Sequence, residues 1–321
     1  MSELKSCMLS IVVPVFNEGL GLRSFHDSLV AELDAIQDVK GDYEILYCND
    51  GSTDNTFRVL QKIAKEAPAV RVISLSRNFG KETATTAGIH EARGRGIIML
   101  DADGQHPVEL IPQFVERWRS GSKVIVGIRI ANQNEGFGKR YGSKLFYWIF
   151  NRFTGMKLVP GLSDFQLIDA SVQREFRRLS EHNRITRGLI DWLGFPREYI
   201  KFKAKPRMSG EAGYSLKKLF KLSVDSVISL SISPLYITAY IGAAVLPLSL
   251  LLMLVMLGNA GLGDPLGLRA TGGAYLTVML LVLVGVLLLS QGIIGLYLSH
   301  IHTETQNRPL YVVDEERSVR L

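Results

Sequence analysis

The sequence has few cysteines and lacks the glycine motifs of two common nucleotide-binding folds. Only Cys7 and Cys48 occur among its 321 residues, and neither belongs to a metal-ligand spacing or a disulfide framework. Cys48 ends an apolar run, which favours a small core residue. No G-x-G-x-x-G follows the first apolar run, and no P-loop lysine motif occurs. A nucleotide, if one binds, is therefore held in another way.

Charge is almost absent from one long stretch. Of the 37 Lys and Arg and the 31 Asp and Glu, only Asp264 and Arg269 lie between Ser231 and His300. This stretch contains two apolar runs, 232–257 and 274–298, and each exceeds the roughly 18-residue threshold for a membrane span. A buried pair of core helices is the alternative, but a Gly-rich loop joins the runs and little polar face is present. We therefore predict a two-span transmembrane helical hairpin.

The charges around this hairpin predict its orientation. The connecting loop, 258–273, holds one arginine, whereas several lysines precede the first span. Because short cytoplasmic loops carry an excess of Lys and Arg, we expect both termini in the cytoplasm and the chain in the inner or plasma membrane. The N-terminus shows no secretory signal peptide, which agrees with this orientation. An amphipathic segment, 214–230, is expected to lie along the bilayer surface as an interfacial helix.

Short apolar runs alternate with amphipathic segments before residue 130. The pattern predicts strands at 9–16, 43–48, 70–75, 96–100 and 124–128, and helices at 22–36, 55–67, 83–92 and 108–119. Later segments predict a return strand at 161–168 and a short strand at 201–207. Strands that alternate with helices indicate an α/β fold with a doubly wound, mostly parallel sheet. Ligands of such sheets bind beyond the carboxyl ends of the strands.

Two aspartates follow the fourth predicted strand, at its carboxyl end. In extended backbone, residues i and i+2 face the same way, so Asp101 and Asp103 would point at one spot with Ala102 facing away. Carboxylate oxygens suit Mg²⁺ or Mn²⁺, and Gln105 can add a third ligand. A divalent ion bound in this way usually also binds substrate phosphates. The alternative is a polar turn in which Asp103 caps a helix.

The stretch 136–154 interleaves cations with aromatic side chains. This composition suits a membrane-surface helix or a nucleic-acid groove, and an ordinary packed helix is a third interpretation. The net charge of +6 fits anionic lipid, phosphorylated substrates or nucleic acid. The neighbouring apolar runs favour the membrane, so we expect no nucleic-acid partner.

The motifs jointly resemble family 2 glycosyltransferases with the GT-A fold, and more narrowly the polyprenyl-phosphate glycosyltransferases, which include bactoprenol glucosyltransferases and dolichol-phosphate mannose synthases. The resemblance extends from about residue 9 to residue 313, and Asn49, Gly104 and Gln166 depart from residues that many relatives have. The segments that carry it are VPVFNE from Val13, NDGSTD from Asn49, RNFGKE from Arg77, DADGQHP from Asp101, SDFQL from Ser163, WLGF from Trp192, SLKKL from Ser215 and NRPLY from Asn307.

The resemblance implies an inverting, metal-dependent transfer of a sugar from a nucleoside-diphosphate sugar to a polyprenyl phosphate. It implies Asp103 and Asp164 as catalytic residues, with Asp164 acting as a general base or as a positioning residue. The implied nucleotide-sugar site comprises Pro14, Phe16, Glu18, Asp50, Ser52, Lys81, Asp101, Ala102 and Asp103. Pro14 could instead end a strand, Glu18 could be a first-turn helix acid, and Asp50 could belong to a turn.

The acceptor keeps its polyprenyl chain in the bilayer, so its phosphate is expected at the interface. Five residues are candidates to bind that phosphate: Arg129, Lys139, Arg140, Ser143 and Arg207. Arginine suits this role because its planar fork grips two phosphate oxygens. Alternatively, these cations interact with anionic lipid in general.

The predicted organisation is a cytoplasmic GT-A domain at 1–213, the interfacial helix at 214–230, two transmembrane helices within 231–300 and a cytoplasmic tail at 301–321, which adds a strand or packs on the domain. UDP-glucose is the first expected donor and GDP-mannose the alternative. A processive polysaccharide synthase or a non-catalytic membrane protein that binds lipid-linked sugars fits the motifs less well. A flippase or a downstream glycosyltransferase of the cell envelope is a further candidate partner.

Overall fold

The computed structural model describes residues 7–130, 161–182, 184–203, 251 and 272–320. The chain divides into two compact units. The first, called the α/β unit below, contains the described residues up to 203 together with 308–320, which we call the C-terminal tail. The second contains Leu251 and the residues from 272 to 307.

Seven strands of the α/β unit form one mixed sheet in the order β3-β2-β1-β4-β6-β5-β7. The strands are β1 Leu9–Val15, β2 Tyr43–Asn49, β3 Val70–Ser74, β4 Gly96–Met99, β5 Val124–Arg129, β6 Leu162–Asp169 and β7 Arg197–Phe202. β6 runs antiparallel to both of its neighbours, β4 and β5, whereas the other neighbouring pairs are parallel. The mostly parallel α/β sheet and the return strand are confirmed. The short strand predicted at 201–207 corresponds to β7, which already begins at Arg197 and ends at Phe202, and residues 204–207 lie outside the described residues.

Helices cover both faces of the sheet. They are α1 Leu22–Ala35, α2 Thr56–Glu66, α3 Lys81–Glu91, α4 Ile111–Arg119, α5 Ala170–Phe176 and α6 Thr186–Trp192. One core cluster contains apolar side chains of α1, α2 and α4, and the other contains those of α3, α5 and α6. The four longer helices match the amphipathic segments of the sequence to within two or three residues. The short helices α5 and α6 were not predicted.

Helix α3 packs against the sheet at very close range because Gly88 has no side chain. A Cβ atom at Gly88 would lie 2.3 Å from Val12 Cγ1 and 2.6 Å from Cys48 Sγ. Cys48 is fully buried there, as its place in the apolar run predicted. The close approach fixes α3 on β1 and β2, and with it the position of Lys81 at the start of the helix.

Apart from Leu251 and the two residues 306–307, the described part of the second unit is the helix α7 Gly272–Thr305. Several of its large apolar side chains are exposed, among them Leu276, Leu287 and Leu298. A search of the described residues for helices able to span a membrane finds none. The predicted first span, 232–257, lies outside the described residues except for Leu251, and the interfacial helix at 214–230 lies outside them entirely.

The C-terminal tail packs on the α/β unit and pairs with its edge strand β3. Val319 and Val72 exchange two backbone hydrogen bonds, of 2.8 and 3.1 Å. The Asp314 N–H donates to Ser74 O at 2.8 Å. The Arg71 guanidinium donates to the carbonyl oxygen of Arg320 at 2.9 Å. The tail therefore covers a sheet edge that would otherwise present unpaired backbone groups.

Deletion of residues 308–321 is expected to destabilise the α/β unit. Removing several backbone hydrogen bonds, each worth about 1 kcal/mol, should cost about 3 kcal/mol of unfolding free energy. For a unit of this size that loss lowers the melting temperature by roughly 6–12 °C. Thermal unfolding of the purified protein measures the shift. Val312→Ala, at an exposed tail position, is the control and should melt like the wild type. An unchanged melting temperature after the deletion would show that the tail does not stabilise the unit.

Candidate active site

Polar residues from four strands meet at the edge of the sheet that is formed by the carboxyl ends of its parallel strands, which is not the β3 edge that the tail covers. β1, β2 and β4 end at this edge, and β6 begins there because it runs the opposite way. The register pairs Met99 of β4 with Gln166 of β6. Asp101, two residues after Met99, therefore lies beside Asp164, two residues before Gln166. This edge is the place where ligands of α/β sheets bind.

Lys81 joins these two aspartates from the first turn of α3. Its Nζ atom lies 2.7 Å from Asp101 Oδ1, 2.8 Å from Asp101 Oδ2 and 2.7 Å from Asp164 Oδ2. Burial lowers the pKa of Lys81, but Asp101 and Asp164 outweigh burial and the pKa is raised. Lys81 is therefore charged at neutral pH. We call Lys81, Asp101 and Asp164 the lysine triad.

Asp164 has a second cation nearby. The Arg187 Nη1 atom, at the start of α6, lies 4.0 Å from Asp164 Oδ1. Burial raises the pKa of Asp164, but the charges of Lys81 and Arg187 more than offset burial and the pKa is lowered. Asp164 is therefore a carboxylate at neutral pH, held between cations from two helices. Arg187 was not among the residues predicted from the sequence.

The turn after β4 is fixed by its own side chains. The Gln105 N–H donates to Asp103 Oδ1 at 2.9 Å, and the Asp101 N–H donates to His106 Nδ1 at 3.0 Å. Gly104 adopts a positive φ of 74°, which closes the turn. The predicted helix starts as a 3-10 turn at Val108 with Pro107 as its N-cap. Asp103 therefore does not cap the helix, and that alternative is wrong.

His106 supports the same turn through its buried imidazole ring. The ring is buried and stacks on Phe165, with the two ring centroids 5.3 Å apart. Burial lowers the pKa of His106, so the ring is neutral and its Nδ1 accepts the Asp101 N–H. Between the two aspartates, the side chain of Ala102 is buried and belongs to the hydrophobic core.

Asp50 anchors the loop that leads into α3. Its two carboxylate oxygens accept the N–H groups of Phe79, at 2.7 Å, and of Gly80, at 2.9 Å. The Asp50 side chain is buried, and burial raises its pKa although these two hydrogen bonds oppose the shift. Gly51 allows the close approach of the loops, because a Cβ atom there would lie 2.4 Å from the carbonyl carbon of Arg77. Asp50 therefore helps to position Lys81 at the site.

The remaining predicted nucleotide-sugar residues lie around the ends of β1 and β2. Ser52 Oγ accepts the Asn17 N–H at 3.1 Å, and the Glu18 N–H donates to Thr56 Oγ1 at 2.9 Å. Pro14 is half-buried near the end of β1, and the ring of Phe16 is 43% exposed just beyond it. The ring of Phe16 is therefore accessible to solvent beyond the end of β1.

The predicted acceptor residues are described only in part. Arg129 ends β5 at the same edge of the sheet and is exposed. Its backbone N–H donates to Gly161 O at 2.8 Å, which fixes its position next to the start of β6. The other four candidates, Lys139, Arg140, Ser143 and Arg207, lie outside the described residues.

Glu82 and Thr186 form a contact that sequence patterns did not reveal. Glu82 Oε2 accepts the Thr186 N–H at 2.8 Å and so joins the starts of α3 and α6. Burial raises the pKa of Glu82, and the charge of Asp164 raises it further. In the sequence, the one feature that could have pointed to Glu82 as a site residue is its position directly after Lys81 in the RNFGKE segment.

Asp101 and Asp103 lie two residues apart in the turn after β4, and carboxylates are the ligands with which Mg²⁺ binds together with substrate phosphates. Asp101 and Asp164 already direct their oxygens at one positive centre, the Nζ atom of Lys81. Across the part of the chain that the structure describes, no group of three or more His, Cys, Asp and Glu is arranged to hold a metal ion. One or two carboxylates together with diphosphate oxygens is the usual Mg²⁺ arrangement, and Asp101, Asp103 and Gln105 can contribute to it.

A protein-family model and several known proteins match this chain. Residues 10–176 match the family model described as glycosyl transferase family 2. An uncharacterized glycosyltransferase of Bacillus subtilis (strain 168), YkcC, is 36% identical over 97% of this chain and 94% of its own. A bactoprenol glucosyl transferase of Shigella phage SfV is 31% identical over 96% of this chain and 99% of its own. A prophage bactoprenol glucosyl transferase homolog of Escherichia coli (strain K12) is 31% identical over 95% of this chain and 98% of its own.

Proposed function

The chain belongs to glycosyl transferase family 2, and we propose that it transfers a sugar from a nucleoside-diphosphate sugar, UDP-glucose first, to a polyprenyl phosphate with inversion at the anomeric carbon. The lysine triad is the observation that carries the proposal, because it sets a cation between two carboxylates at the ligand-binding edge of the sheet. The near full-length similarity to proteins named bactoprenol glucosyl transferase supports the acceptor class and makes glucose the first candidate sugar.

Lys81 acts on the leaving group in this proposal. The nucleoside diphosphate gains negative charge as the glycosidic bond breaks, and a fixed ammonium group next to it lowers the energy of the transition state. Asp50 holds the loop before α3, so the ammonium group is in place before the substrate binds. A divalent ion on Asp101 and Asp103, with Gln105 nearby, would neutralise further charge on the diphosphate.

Asp164 acts as a positioning residue rather than as a strong base. A phosphate monoester has its second pKa near 6, so the acceptor is already mostly a dianion at neutral pH. It can attack the anomeric carbon without losing a proton. Lys81 and Arg187 hold Asp164 in its charged form. That carboxylate keeps Lys81 in place and lies close to where the sugar is transferred.

A donor panel tests the function. Purified protein in detergent with Mn²⁺ should transfer a sugar to undecaprenyl phosphate from UDP-glucose, and more slowly or not at all from GDP-mannose, UDP-galactose and UDP-N-acetylglucosamine. The lipid product is separated by chromatography and its mass is measured. Transfer from GDP-mannose alone would show that mannose, and not glucose, is the sugar that the protein transfers. No transfer from any donor would refute the proposal.

We also propose that the α/β unit lies in the cytoplasm and that the segments 232–257 and 274–298 anchor it in the membrane. The apolar runs of the sequence and the exposed apolar side chains of α7 support this. In a Cys7→Ser background, a cysteine at Asn259 should react with an impermeant maleimide in intact cells. One at Glu316, an exposed tail position, should react only after lysis. The reverse labelling pattern would refute this orientation.

A further inference from the structure

Helix α6 is held at its first turn by a side chain of another helix. The first N–H groups of a helix have no partner within the helix. Ile185, which precedes α6, has no side-chain oxygen that could accept one of them. The Glu82 carboxylate of α3 accepts the Thr186 N–H at 2.8 Å, and it also accepts the Thr186 hydroxyl. Two hydrogen bonds to one residue therefore fix the point at which α6 begins.

Arg187 follows the fixed Thr186 and reaches the lysine triad. Its Nη1 atom lies 4.0 Å from Asp164 Oδ1, whereas Lys81 Nζ lies 2.7 Å from the other carboxylate oxygen, Oδ2. Asp164 thus has one cation near each of its oxygens. Lys81 and Glu82 are consecutive residues of α3. One turn of α3 therefore supplies the first cation and, through Thr186, places the second.

The Arg187 guanidinium has donors to spare for a ligand. A distance of 4.0 Å is too long for a hydrogen bond, and this ion pair is the one polar contact of the Arg187 side chain among the residues that the structure describes. The side chain is 45% exposed, at the edge of the sheet where ligands bind. A guanidinium presents five N–H donors in a planar fork that matches two oxygens of a phosphate. A phosphate group is therefore the complementary ligand.

We propose that Arg187 binds a phosphate group of a substrate and that Glu82 is the positioning residue that places it there. The inference rests on the proposed function, since that function brings two phosphate-bearing substrates to this edge of the sheet. One source is the diphosphate of the donor, and the other is the phosphate of the acceptor. The competing explanation is an ordinary surface arginine, with a contact between Glu82 and Thr186 that only stabilises the fold.

Arg187→Met tests the ligand. Methionine removes the charge and the donors at a half-exposed position, so the protein should stay folded. Calorimetry with Mn²⁺ should show that UDP binds at least about tenfold more weakly, the loss expected for a hydrogen bond to a charged group. If UDP binds normally but the KM for undecaprenyl phosphate rises by that factor, Arg187 binds the acceptor phosphate. If neither value changes, the inference is overturned.

Arg178→Met is the matched control. Arg178 is 76% exposed and pairs with Glu175 at 2.8 Å, away from the lysine triad. The substitution makes the same chemical change on the surface, so it should leave both the UDP affinity and the acceptor KM at their wild-type values. An equal loss in Arg178→Met and Arg187→Met would show a general effect of surface charge and would overturn the inference.

Glu82→Leu tests the positioning. Leucine removes both hydrogen bonds to Thr186, so it should cost about as much as Arg187→Met, because a misplaced group is nearly as costly as a missing one. Glu82→Gln should lose less than about threefold, since the glutamine carbonyl can accept the same two hydrogen bonds. If Glu82→Leu does not fold, Thr186→Val takes its place with a smaller loss, because it removes one of the two hydrogen bonds.

The double variant of Glu82→Leu with Arg187→Met separates positioning from a structural role. If Glu82 acts through Arg187, the double variant should bind and react no worse than Arg187→Met alone. Losses that multiply would show that Glu82 acts independently of Arg187. A Glu82→Gln protein as impaired as Glu82→Leu would show that the charge of Glu82 matters instead of its hydrogen bonds. Either result would overturn the assignment of Glu82.

The binding measurement keeps the inference separate from the proposed function. Wild-type protein that binds UDP but transfers nothing to undecaprenyl phosphate would refute the proposed function. The UDP affinity would then decide the inference by itself. A weaker affinity in Arg187→Met would support a phosphate-binding Arg187, and an unchanged affinity would overturn it.

Discussion

Replacing Lys81 by methionine is expected to lower kcat for sugar transfer by at least about 100-fold, the usual cost of losing one fixed group that stabilises transition-state charge. Methionine keeps the length and the apolar stem of lysine but has no charge. Asp101 and Asp164 would then face each other without the ammonium group that now lies 2.7 Å from each. The departing diphosphate would lose a cation at the same time. Steady-state transfer to undecaprenyl phosphate measures the effect.

Two controls make this result interpretable. Lys62→Met, on the exposed face of α2, makes the same chemical change away from the site and should leave kcat unchanged. Circular dichroism and the melting temperature of Lys81→Met should show that the protein is still folded. A folded Lys81→Met protein with wild-type kcat would mean that Lys81 holds the two aspartates in the free enzyme but takes no part in transfer.

The strand-end aspartates could be predicted because local pattern places them. An apolar run ends at Leu100, Asp101 and Asp103 follow, and parallel strands bring such ends to one edge of a sheet. The contact between Lys81 and Asp164 required more, because the two residues are 83 positions apart. It depends on β6 running antiparallel to β4, and the residues of a return strand do not specify its neighbours.

Other parts of the site are invisible to periodicity. Helix α6 has only seven residues, too few for a helical pattern, so Thr186 and Arg187 were not recognised as its first residues. The hydrogen bond from Thr186 to Glu82 spans 104 positions.

Charged residues inside strands are misjudged in a different way, because their residue type favours exposure where the structure shows burial. Arg71 and Glu44 form a buried ion pair at 3.0 Å, where residue type alone predicts exposure.

The fold also explains why the tail could be predicted only as two alternatives. A segment such as NRPLYVV contains apolar residues of β type, but its partner lies far away in the sequence. The structure supplies the edge of β3, where Val313 and Val319 pair with Leu75 and Val72. Arg71 contributes as well, because it binds the tail carbonyl of Arg320 and the Glu44 carboxylate together. The edge strand β3 and the buried Arg71 therefore provide the groups that bind the C-terminal tail.

Asp101→Asn is expected to reduce transfer by roughly 1,000-fold, because it weakens two interactions with one change. The amide is neutral, so it loses the ion pair with Lys81 and binds a divalent ion poorly. Excess EDTA should stop transfer by the wild type, and added Mn²⁺ or Mg²⁺ should restore it. Manganese binding in the presence of UDP, followed by electron paramagnetic resonance, gives a readout that does not depend on activity. The variant should bind the ion much more weakly than the wild type.

Asp27→Asn is the matched control for this experiment, since Asp27 is an exposed carboxylate of α1 paired with Arg23 at 3.0 Å. It makes the same change of charge away from the site and should keep both transfer and manganese binding. Loss of transfer with normal manganese binding in Asp101→Asn would assign Asp101 to the lysine triad alone. Full transfer by the wild type in excess EDTA would exclude a divalent ion from the reaction. Lys81 and Arg187 would then be the cations available to the diphosphate at the triad, and Lys81→Met should become the more damaging change.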